Sequence, residues 1–199
     1  MIRLILAILF TCGVTLACAE PTVKLEQLTQ EVSAWFQSSD KSNLSSWQYS
    51  LKYNKHYLKA TSETYGGGEL IYRLNAKACV ISIPHRFFDM HTYEIGEKVF
   101  STHCQLMLSN THHRHSDSLD EQTMDYSKRR DNLHNSAILA FQSLHKKAVV
   151  IQLHGFNQNK RKSDTAKQAD FIVSQGKKGN FVKLKLTQCL SKISKNSYF

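Results

Sequence analysis

The sequence predicts an α/β fold: one domain built on a mixed or mostly parallel sheet flanked by helices. Two apolar runs, "ACVISI" from Ala78 and "AVVIQL" from Ala148, show little alternation, as expected of strands buried on both faces. Amphipathic stretches separate them, so strand and helix alternate along the chain. At 199 residues the chain suffices for one well-packed core, and it contains no internal repeat or low-complexity linker.

The elements follow in order. "MIRLILAILFTCGVTLACA" has an early Arg3, an apolar run from Leu4 to Phe10, and small residues at Ala17 and Ala19. That is the layout of a secretory leader cut after Ala19, and it is too short to span a membrane as a helix. The expected domain is therefore 20–199, in a periplasmic or secreted protein. In "TVKLEQLTQEVSAWFQ", Val23, Leu25, Leu28, Val32, Trp35 and Phe36 fall on one helical face, with Thr22 as a cap. "SSDKSNLSS" is a polar loop. A glycine turn then precedes a strand over Leu70–Leu74, a turn at Asn75 and a buried strand over Cys79–Ile83.

Beyond Pro84-His85, Thr92–Phe100 forms a short helix and "CQLMLSNT" a strand. Residues 112–130 are nearly devoid of aliphatic side chains and read as a long surface loop, a place where function often resides. "NLHNSAILAFQSLHKK" is an amphipathic helix. The strand from Ala148 to Leu153 leads into His154-Gly155-Phe156, followed by the basic loop "NQNKRKSD" and strands at "DFIVSQG" and "NFVKLKL".

Lys and Arg total 26 against 16 Asp and Glu, a net charge of +10, and removing the leader takes away only Arg3. Such an excess favours anionic partners: nucleic acid, acidic lipid or polyanionic cell wall. Export argues against nucleic acid, as do the short "KRK" and "KK" runs without interleaved aromatics. Cys12 and Cys18 leave with the leader. Cys79, Cys104 and Cys189 remain, an odd number that excludes a disulfide framework and permits one bridge at most. Cys79 reads as an ordinary buried small residue, and a Cys104–Cys189 pair stays open.

Both buried strands end in histidine, "VISIPH" at His85 and "VVIQLH" at His154. In open α/β sheets side chains converge beyond the carboxyl ends of the strands, so the two imidazoles have a structural reason to meet. Glu94, in the first turn of the next helix, is the expected carboxylate. Two His, one Glu and a water make a catalytic zinc shell. His91 is the substitute ligand, and Asp89 is a carboxylate or a partner orienting an imidazole. The other histidines, His56, His103, His112, His113, His115, His134 and His145, read as bystanders. Lys160 and Arg161 directly follow His154 and would rim the same crevice, attracting carboxylate-bearing substrates.

The segments "IPHRFFDMHTYEIG", "SNTHHRH", "RRDNLHNS" and "IQLHGF", in this order and spacing, resemble the zinc-dependent N-acetylmuramoyl-L-alanine amidases and the related poly-γ-glutamate hydrolases. The resemblance covers roughly Lys77 to Leu186. It implies a zinc-peptidase/phosphorylase-hydrolase-like α/β fold, zinc held by His85, Glu94 and His154, and Arg114 and Asp131 near the substrate pocket. In that family a second glutamate on a C-terminal strand serves as general base.

This chain departs there. Its last Glu is Glu121, and the strand that should carry the base reads "FVKLKL", with Lys183 and Lys185 on one face. A missing base costs about 10²- to 10⁴-fold in rate. Asp170, Glu97 or Glu121 would have to substitute. The expected function is an exported zinc-dependent hydrolase of amide bonds in cell-wall peptide or a similar acidic polymer, with an impaired or missing general base. The alternative is a non-catalytic envelope-binding module that keeps the hydrolase fold and a basic surface.

Overall fold

The computed structural model describes residues 3–9, 23–44, 46–61, 67–116, 123–174 and 197–198. The strands are β1 (Arg3–Leu9), β2 (Trp47–Lys52), β3 (Lys55–Ala60), β4 (Glu69–Tyr72), β5 (Lys77–Ile83), β6 (Cys104–Ser109), β7 (Val149–Phe156), β8 (Phe171–Ser174) and β9 (Ser197–Tyr198). The helices are α1 (Val23–Gln37), α2 (Thr92–Thr102), α3 (Leu133–Leu144) and α4 (Asp164–Gln168). The strands form one mixed sheet in the order β2-β3-β4-β6-β5-β7-β1-β8-β9. The expected α/β class, a mixed sheet flanked by helices, is what the chain adopts.

The centre of the sheet is parallel. β5 pairs with β6 on one side and with β7 on the other, both in parallel. Because the chain runs from β5 to β6 and then crosses back past β5 to β7, the carboxyl end of β5 is a switch point. Chain leaves it toward opposite sides there, opening a crevice. β2, β3 and β4 add an antiparallel meander beyond β6.

Each face of β5 is covered. Val80 joins Val32, Phe36, Leu106 and Phe141 in a core beneath α1 and α3, while Ile81 and Ile83 join Phe100 and Met107 beneath α2. That double burial is why the run lacks alternation. Gly96 lets α2 lie close, since a Cβ there would stand 2.5 Å from Ile83 Cδ1. Asn132 caps α3 by accepting from the Asn135 N–H at 2.8 Å.

Several expectations are corrected. The strand from Leu70 ends at Tyr72, because Arg73 to Ala76 turn the chain through Asn75 at φ 60°. Cys79 is half-buried and bonded to Cys104 across β5 and β6, with Cα atoms 4.9 Å apart, rather than an ordinary buried thiol. The basic loop after β7 contains a 3₁₀ turn at Gln158–Lys160 and leads into α4, capped by Ser163. The expected "NFVKLKL" strand, Cys189 and Glu121 lie outside the described residues. Arg3–Leu9, within the expected leader, pairs with β7 and β8. Cutting after Ala19 would remove β1 and leave β6, β5 and β7 paired to one another.

Candidate metal centre

The parallel register of β5 and β7, Val80 opposite Val150 and Ser82 opposite Gln152, carries His85 and His154 to neighbouring positions at the carboxyl end of the sheet. Pro84 takes the chain out of β5, and a tight turn follows in which the His85 carbonyl accepts from the N–H groups of Phe88 and Asp89. That turn folds Asp89 back onto His85. Thr92 then donates its hydroxyl to the Asp89 carbonyl at 2.7 Å and starts α2.

Three ligand atoms result in one triangle. His85 Nδ1 and His154 Nδ1 are 3.2 Å apart, His85 Nδ1 and Asp89 Oδ2 3.3 Å, and His154 Nδ1 and Asp89 Oδ2 3.4 Å. Ligand atoms on one face of a tetrahedron, each about 2.05 Å from a zinc ion, stand about 3.3 Å apart. These three side chains can hold a metal ion.

The second nitrogen of His85 fixes the direction of the first. Nε2 donates to Asp125 Oδ1 at 2.9 Å, which leaves the Nδ1 lone pair facing the triangle, the arrangement by which carboxylates orient metal-binding imidazoles. Asp125 is itself held by the backbone N–H and hydroxyl of Ser127, by Arg114 Nη2, and by Lys128 at 3.7 Å. Burial would raise the Asp125 carboxyl, but hydrogen bonds from Ser127 and His85 outweigh it and hold the group well below the usual range. Asp89 behaves alike: burial opposes its charge, while His154 and His85, when a proton rather than a metal ion lies between them and the carboxylate, and the Gly155 N–H more than offset the penalty.

Gly155 is part of this construction. A Cβ there would lie 3.2 Å from Asp89 Oδ1, so the side-chain-free backbone is what lets the carboxylate approach β7. On the opposite face His134, from α3, meets Ser82 Oγ through Nε2 at 2.7 Å. Full burial, then the charges of His85 and His154, push His134 down to about 3, so it stays neutral.

The expected site residues divide clearly. His85 and His154 meet, and Arg114 joins them through Asp125. Glu94 does not: it is exposed on α2, and the carboxylate in the triangle is Asp89, one helical turn after His85. Asp131 instead bridges Arg129 Nε and Lys24 Nζ, each at 3.5 Å, tying the start of α3 to α1. Lys160 is exposed. Arg161 donates to the Asn157 carbonyl at 3.3 Å on the segment leaving β7. Glu97 is exposed on α2 and Asp170 half-buried before β8, neither within the triangle. His134, read as a bystander, lies behind the centre. Asp125 was missed because nothing local marks it: its partner is forty residues away.

Comparison with known protein families, curated proteins and solved structures finds no match to this chain. The triangle therefore stands on its geometry alone.

Proposed function

We propose that this chain is an exported zinc-dependent hydrolase of amide bonds in cell-wall peptide or a similar acidic polymer, resembling the zinc amidases in its site and weakened in its general base. The observation that carries this reading is the triangle of His85 Nδ1, His154 Nδ1 and Asp89 Oδ2, with edges of 3.2 to 3.4 Å. Two neutral imidazoles and one carboxylate leave a divalent ion with net positive charge, and a fourth position facing the crevice. Zinc bound there would supply an acidified water and a polarising charge for an amide carbonyl.

The chain's own groups do the rest. Asp125 and Ser127 hold the His85 ring, and Gly155 holds Asp89. Among the described residues, both acids at the triangle are engaged, Asp89 as ligand and Asp125 by several donors, so neither is free to move a proton. That supports the reading of an impaired base. Lys160 and Arg161 follow β7 directly and would draw acidic polymer by raising encounter rates, an effect that salt screens. The Cys79–Cys104 bond supports an oxidising compartment. No helix among the described residues is long and apolar enough to cross a membrane.

Metal analysis of the purified full chain tests the centre. One equivalent of zinc is expected in the parent, and His154→Ala and His85→Ala should each weaken binding more than about a hundredfold, beyond the loss typical of an outer partner. Stoichiometric zinc surviving both changes would sink the assignment. Release of peptide from peptidoglycan or γ-glutamyl substrates, abolished by chelator, then separates enzyme from binding module.

A further inference from the structure

The end of the sheet opposite the metal centre carries a second surface. β5, β6 and β7 all begin there, and because β4 is antiparallel to β6 and β3 to β4, the β2–β3 turn falls at the same end. So do the connections β4–β5, α2–β6 and α3–β7. No Asp or Glu occurs in residues 51–56, 73–78, 101–104 or 144–149, which make up these four connections. They present Lys52, Lys55, Lys77, Lys146 and Lys147 instead.

Apolar side chains stand among these cations. Leu51 is 56 % exposed, Leu74 58 % and Tyr53 94 %. Tyr53 is also held in an unfavourable backbone conformation. Lys52 pairs with Lys55, so Tyr53 and Asn54 form a two-residue turn, with φ of 50° and 58°. Both values lie in the left-handed region that such a turn demands and that Asn, Asp or Gly fill readily. A tyrosine there is strained, and its ring, almost wholly in solvent, returns nothing to the fold.

We propose that this end, through these four connections, docks on a bilayer containing anionic phospholipid. The lysines would face headgroup phosphates, while Leu51, Tyr53 and Leu74 enter the interface. A soluble polyanion would satisfy the lysines alone. Exposed leucines gain only where an acyl boundary receives them, and a tyrosine ring sits well at headgroup level. Such docking turns the metal centre away from the bilayer, since the two surfaces occupy opposite ends of the same strands. It does not depend on the metal assignment.

Co-sedimentation of the full chain with vesicles tests this. Binding is expected to phosphatidylcholine vesicles containing phosphatidylglycerol, weaker in high salt, and not to phosphatidylcholine alone. Lys146→Ala combined with Lys147→Ala should weaken binding about twenty- to thirtyfold. Leu51→Ser combined with Tyr53→Asn should weaken it about tenfold, the Asn being well suited to the turn so that folding is kept. Tyr53→Trp fluorescence should shift to the blue on anionic vesicles. Absence of vesicle binding, binding indifferent to both double variants, or equal binding to soluble polyphosphate that ignores Leu51 and Tyr53 would each overturn the proposal.

Discussion

At the carboxyl ends of β5 and β7, acids and imidazoles are gathered into one network, in which Asp125 joins His85, Ser127 and Arg114. In the four connections at the amino ends of the same strands, lysines are gathered and no Asp or Glu occurs. The first end is buried, with His85, Asp89 and Asp125 all nearly inaccessible, and its charges are settled internally except for three lone-pair-bearing atoms facing one point. The second surface is exposed, and no carboxylate within its four connections settles its charges. A closed anionic cluster selects a small cation that fits among its atoms, whereas an open cationic surface selects an extended anion and sets few geometric terms. The parallel centre of the sheet can thus present two unlike sites, because β6, β5 and β7 all begin at one end and finish at the other.

The largest effect expected from separating the two ends is on stability. The Cys79–Cys104 bond staples β5 to β6 at the lysine end, closing a loop with a sequence separation of 25. Replacing both cysteines by alanine should cost about 3.5 kcal/mol by the loop-entropy relation. Calorimetry of the variant would register it as a lowered Tm. Zinc affinity measured well below that Tm should hardly change, since the ligands lie at the other end of the strands. A large loss of zinc affinity would show that the ends are coupled through the sheet.

Next in size is Asp125→Asn. The amide keeps the shape but no longer anchors the His85 Nε2 proton with a charge, so zinc affinity should fall about ten- to a hundredfold. Vesicle binding should remain as it was. An unchanged zinc affinity would mean that the Asp125 bond does not orient the His85 ring.

The sequence made some of this legible and hid the rest for physical reasons. β5 was readable because burial on both faces imposes an uninterrupted apolar run, whereas β7 carries such a run although only Val150 and Leu153 are buried in it, and the histidines were readable because each follows one of these runs. The carboxylate was harder. Glu94 looked right by its place in the first turn of α2, yet a helix start directs that side chain outward, while the turn stabilised by the His85 carbonyl aims Asp89 inward. Asp125 and Gly155 left no local signal, since their roles exist only after distant segments meet. The β2–β3 hairpin escaped notice because its tip is Tyr-Asn without the customary glycine, and because β2 is an edge strand whose burial does not alternate cleanly.

A smaller effect, dependent on pH, belongs to the metal end alone. His134 is neutral and wholly buried in the folded chain, and its value is lowered from 6.5 to about 3, while the unfolded chain binds a proton near 6.5. Above 6.5 both states are neutral and the folded state keeps its full stability. Between 6.5 and about 3 the unfolded state holds one more proton, so stability falls as pH falls. Denaturant titrations across this window should show that slope, and His134→Gln should flatten it by one proton. A slope unaltered by the substitution would place the acid sensitivity in other groups.

The smallest effect has the opposite sign and belongs to the lysine end. Tyr53→Asn relieves a side chain held at φ 50° in a turn that asparagine occupies readily, and it deletes a ring that is 94 % exposed. The folded chain should therefore gain about 0.5 to 1 kcal/mol, visible as a raised denaturation midpoint with an unchanged slope. At the metal end no comparable gain is available, since replacing His85 leaves the buried Asp125 carboxylate without that donor and replacing Asp89 leaves the Gly155 N–H without its acceptor. A tyrosine that weakens its own turn and stabilises nothing around it points to selection by something outside the fold. Were Tyr53→Asn to destabilise the chain instead, the ring would have a packing role, and the contrast between a self-contained end and an outward-looking one would lose its sharpest support.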